Sequence, residues 1–128
     1  MSGLRHDLRR AYDDLKQRQF PAGSEDESAS QLHAELVLAD TEWSGLIARS
    51  LGSAVPARVF GPEDDWRYLD LKARLESLTR DGDPRAATDA RRYLDYLQTL
   101  WDVVVLGRRG LLGSPTVFAR ASSRSGWR

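Results

Sequence analysis

"DTEWSGLIARSL" (residues 40–51) places a glycine two residues after a tryptophan, and the fold turns on whether Ser44-Gly45 is a turn or part of a helix. At 100° per residue, Leu32, Leu36, Ala39, Trp43, Leu46, Ile47 and Ser50 share one stripe that crosses the tripeptide without a break. That is the period of a helix packed on a core, and a turn at Gly45 would destroy it. The spacing predicts a continuous helix over 30–51. Ser28 or Ser30 is a suitable N-cap, and Gly52 stands where a left-handed C-terminal cap is expected.

The other side of this helix is apolar too. Ala34, Val37, Leu38, Thr41, Gly45 and Ala48 lie opposite the core stripe, and the charges of His33, Glu35, Asp40, Glu42 and Arg49 occupy the two flanks between them. A helix with two apolar faces has to be covered on two sides. Small residues allow close backbone approach. Ala34, Leu38, Thr41, Gly45 and Ala48 are therefore the candidate interface, covered by a further helix of this chain or by a second copy in a homodimer.

Three more helices extend outward from this one. Leu4, Leu8, Ala11, Tyr12 and Leu15 form a stripe that predicts a helix over 2–19, ended by Pro21 and Gly23. Pro62 suits a first turn, and Glu63, Asp64 and Asp65 suit the positive end of the helix dipole, which predicts a helix over 63–80. It carries two stripes, Tyr68-Leu71-Leu75-Leu78 and Trp66-Leu69-Ala73. Asp83 as N-cap and Pro84 begin a fourth helix over 84–106, rich in apolar residues from Ala86 to Val104. In the linker before Pro62, Val59 and Phe60 are expected to tuck into the core. The fold class is all-α, a four-helix bundle in one domain over 1–107, with an Arg/Gly/Ser-rich tail over 108–128.

Composition narrows the function classes. A chain of 128 residues with 41% hydrophobic and 30% charged residues fits one soluble domain. There is no cysteine, so disulfides and thiolate metal sites are excluded. "MSGLRHDLRR" has no apolar core of a signal peptide, and no run is long enough to span a membrane, so the expected location is cytoplasmic. Residues 103–128 hold five arginines and no acid, whereas residues 1–102 carry 14 basic and 19 acidic groups. An acidic body with a basic tail disfavours nucleic acid as a partner, except through the tail arginines and Trp127.

Catalytic patterns are missing. Two histidines, His6 and His33, are too few for a histidine-rich metal bundle. His33-Ala34-Glu35 has the start of a deaminase zinc motif but not its cysteines. No phosphate-binding glycine loop, Gly-x-Ser-x-Gly elbow or His-Glu-x-x-His occurs. No catalytic residue, metal ligand or cofactor is assigned, and the expectation leans away from an enzyme.

Trp43-Ser44-Gly45 resembles, in those three letters, the Trp-x-Gly turn of a family of secreted helical hairpins. That family also carries a C-terminal Tyr-x-x-x-Asp/Glu element. Here Tyr68 is followed four residues on by Lys72, Tyr93 by Leu97 and Tyr96 by Leu100. The unbroken stripe through Gly45 predicts helix where that family has a turn. The expected function is protein–protein interaction, as a small adaptor or regulator with a protein partner or a second copy of itself. The alternative is a small-molecule-binding or enzymatic bundle whose pocket is lined by Trp43, Trp66, Tyr93, Trp101 and His33.

Overall fold

A computed structural model describes residues 3–109, with side chains from residue 5 onward. Trp127 and the tail arginines beyond residue 109 lie outside the described residues, as does the side chain of Leu4. Four helices follow one another: α1 Gly3–Gln17, α2 Glu27–Leu51, α3 Pro62–Asp81 and α4 Pro84–Gly107. There is no strand among the described residues. α2 runs unbroken through Trp43-Ser44-Gly45, as the stripe predicts.

Successive helices run antiparallel. Arg5 and Arg9 near the start of α1 donate to the Leu51 carbonyl at the end of α2, at 3.2 and 3.3 Å. Arg74 late in α3 forks onto Glu35 early in α2, with both bonds at 2.7 Å. Arg108, just beyond α4, pairs with Asp65 at the start of α3 at 2.8 Å. α4 packs on all three other helices, and α1 and α3 do not meet. The section is therefore a rhombus, with α2 and α4 close across its short diagonal. The apolar run of α4 follows from that central place: Tyr93, Leu97, Leu100 and Val104 are fully buried against Leu8, Leu15, Leu36, Trp43, Ile47 and Leu75.

The helix ends explain two departures from the expected boundaries. α2 begins at Glu27 because Asp26, not Ser28 or Ser30, is its N-cap: the Asp26 carboxylate accepts from the Ala29 N–H at 3.1 Å. The helix starts three residues earlier than expected and buries Ala29 in its first turn. At the other end Gly52 is not left-handed (φ −88°); the left-handed residue is Ser53 (φ 67°). The Ala54 N–H reaches back to the Arg49 carbonyl at 2.7 Å. Such a closing bond puts the left-handed residue immediately before its donor, which is Ser53. In the linker Phe60 is buried as expected, but Val59 is 61% exposed, because extended neighbours point to opposite sides.

The α3–α4 turn depends on close approach at Gly82. A Cβ there would lie 2.6 Å from the Leu78 carbonyl oxygen and 2.8 Å from Leu78 Cδ1. The backbone oxygen cannot swing aside as a side chain would. Gly82→Ala is expected to destabilise the fold by about 1–3 kcal/mol. A lower urea midpoint with unchanged slope checks this.

Candidate interaction surface

Among the described residues, the small-residue face of α2 is largely open. Leu38 is 63% exposed and Val37 is 37% exposed. Ala34 and Thr41 are exposed, and Gly45 and Ala48 are half-buried. A Cβ built on Gly45 would meet no heavy atom within 4 Å. No contact among the described residues therefore requires glycine. A glycine inside a helix costs roughly 0.5–1 kcal/mol relative to alanine. What the missing side chain does is open a groove of about 300 Å³, lined by Glu42, Gly45, Leu46, Arg49, Ala57 and Arg58.

One wall of that groove is the linker, and a buried network fixes it. Asp64 is 1% exposed. Its carboxylate accepts from Trp43 Nε1–H at 2.9 Å, from the Gly61 N–H at 2.8 Å, and from Arg58 at 2.7 and 2.8 Å. Gly61 is the N-cap of α3, so Asp64 supplies the reciprocal half of a capping box. Arg58 also reaches Glu42 on α2, which Arg67 of α3 holds from the other side at 2.8 Å. The Arg67 guanidinium sits 5.5 Å from the Trp43 ring centre. Burial alone would raise the Asp64 pKa. Arg58, the Gly61 N–H and Trp43 outweigh it and bring the group down to about 2. Hydrogen bonds from Arg58 and then Arg67 likewise hold Glu42 below the usual carboxylate range. The network clamps linker, α2 and α3 together beside Gly45.

The five residues expected around a pocket occupy three places. Trp43 and Trp101 pack at 5.1 Å between ring centres, and Tyr68 stacks on Trp101 at 4.5 Å, filling the core at one level. His33 and Tyr93 meet at 5.1 Å at another level, with Phe20 against His33 at 5.5 Å. The two levels are ten residues apart along α2, about 15 Å. There His33 Nε2–H donates to the Pro21 carbonyl at 2.8 Å, and the Tyr93 hydroxyl donates to the Ala22 carbonyl at 2.9 Å. Trp66 joins neither group: it is 69% exposed on the outside of α3, with Leu69 at 55%. The structure thus brings Trp43 to Trp101 and His33 to Tyr93, and does not gather all five.

The Asp64–Trp43–Arg58 network was missed from the sequence, where Asp64 reads as one of three acids at a helix start. The available signal was its spacing, three residues after Gly61, the capping-box register. Among the described residues no three His, Cys, Asp or Glu side chains group as a metal-ligand set. Among the same residues, no helix is long and apolar enough to cross a membrane. No protein-family model, curated protein or solved structure matches the chain.

Proposed function

We propose that this protein acts through protein–protein association, as a small adaptor or regulator, and that it pairs with a second copy of itself through the outer face of α2. The observation that carries the reading is the open Gly45 beside the exposed Leu38. A two-fold interface must be self-complementary. The stripe meets that condition when two α2 helices cross antiparallel with Thr41 at the axis. Leu38 of one copy then falls against Gly45 of the other, a knob over a hole. Ala34 faces Ala48, which permits close approach. On the same flank Glu35 comes to the level of Arg49 of the other copy, with opposite charges. A parallel pairing would set Leu38 on Leu38 and leave the Gly45 groove unfilled. The expected setting is the cytoplasm.

Sedimentation equilibrium of the wild type and of Gly45→Leu tests the reading. The wild type is expected at twice the 14.4 kDa chain mass. Gly45→Leu fills the hole, so it is expected to shift to the monomer, with its helical circular dichroism unchanged. A wild type that stays monomeric at tens of micromolar overturns the self-pairing.

A further inference from the structure

A second cleft shares no residue with the α2 groove. It measures about 530 Å³ and lies between the segment after α1 and the outer side of α4. Its lining is Arg18, Gln19, Phe20, Pro21, Ala22, Arg91, Arg92, Asp95 and Tyr96: three guanidinium groups against one carboxylate. Its size is that of a small-molecule site.

The chemistry of the walls is one-sided. The Pro21 and Ala22 carbonyls are turned inward onto His33 and Tyr93 and do not satisfy the arginines. The Tyr96 hydroxyl donates to Asp40 at 2.7 Å and is not free for a ligand. Phe20 packs edge-on to the Tyr96 ring at 4.7 Å. The cleft therefore offers an apolar, aromatic floor under a rim of donors. Two of those donors are already aimed. Arg18 is held by Asp95 at 2.5 Å, and Arg92 by Asp89 at 2.5 Å. Arg91 has no ion-pair partner among the described residues. A guanidinium fork matches the oxygens of a carboxylate or phosphate and stacks on flat groups. Fixing two forks in advance lowers the ordering cost of binding.

We propose that this cleft binds a small organic anion, a flat apolar or aromatic body carrying a phosphate or carboxylate, with Arg91 as the free cation that meets the anionic group and Arg18 and Arg92 beside it. The ring of such a ligand lies on Phe20 and Pro21, with the buried Tyr96 behind them.

Titration calorimetry on the full chain tests this with phenyl phosphate, benzoate, inorganic phosphate and phenol as probes. Phenyl phosphate or benzoate is expected to bind saturably, and whichever binds more tightly identifies the anionic group. Inorganic phosphate and phenol are each expected to bind at least about tenfold more weakly, a difference of roughly 1.4 kcal/mol. Arg91→Gln changes an exposed side chain, so its unfolding midpoint without ligand is expected to match the wild type. Its affinity for the better probe is expected to fall about tenfold. The proposal is overturned if neither aryl anion saturates, if phenol or inorganic phosphate binds as well as the aryl anions, or if Arg91→Gln binds them as tightly as the wild type.

Discussion

Asp64→Ala is expected to lower stability by about 3–5 kcal/mol, a large fraction of what holds a small domain together. The substitution removes the acceptor shared by Trp43 Nε1–H, the Gly61 N–H and Arg58. It leaves the buried Trp43 indole donor without an acceptor and Arg58 with Glu42 alone, and an orphaned buried donor dominates the cost of breaking such a network. Urea denaturation gives the magnitude. The same residue sets an acid limit. The folded pKa of Asp64 is about 2, below its ordinary 3.8. A depressed acid pKa contributes stability that is fully present above the unfolded value and is lost as pH falls through the folded one. Between pH 3.8 and pH 2 the wild type is therefore expected to lose about 2 kcal/mol through this group. Asp64→Ala should show no such component. Equal acid transitions in wild type and variant would contradict the assignment.

Trp43→Ala and Trp66→Ala are expected to differ more than any other like pair in the chain. Trp43 is fully buried, packs on Trp101 and donates to Asp64. Its truncation leaves a cavity and removes one of the two donors to Asp64 Oδ1, for a loss of about 3–5 kcal/mol. Trp66 is 69% exposed on α3, and Trp66→Ala is expected to change stability by no more than about 0.5 kcal/mol. Thermal and urea unfolding of the two variants under one buffer decides it. Comparable losses would mean that Trp66 is covered in solution.

These two tryptophans also mark how far the sequence could be read. Their helical angles alone separate them, Trp43 on the stripe with Leu36 and Ile47, Trp66 with Leu69 and Ala73. Periodicity reports the direction of a side chain around its helix, and that was enough for four helices and for the continuous run through Gly45. It says nothing of the level at which side chains from different helices meet. Grouping Trp43, Tyr93, Trp101 and His33 by direction ignored the length of α2 between Trp43 and His33. Cap choice was not legible either. Asp26, Ser28 and Ser30 all suit an N-cap, and the choice fell to the register that buries Ala29. The Arg58 clamp joins residues far apart in the chain to one carboxylate, and no local pattern encodes that. The face that includes Ala34, Thr41 and Gly45 was legible because small residues opposite a core stripe are unusual on a helix that meets only water. The structure adds that the described residues leave the face largely open.

The pairing of two α2 helices can be trapped chemically, since the chain has no cysteine of its own. Thr41→Cys puts one thiol at the proposed two-fold axis, where the two copies come within the 4.4–6.8 Å Cα separation, roughly, that a disulfide needs. Gln98→Cys puts one on the exposed outer side of α4 as a control. Under mild oxidation at low micromolar concentration, Thr41→Cys is expected to convert to a disulfide-linked dimer at least about tenfold faster than Gln98→Cys, the gain expected from proximity. Equal rates for the two variants would contradict an interface centred on Thr41 and Gly45.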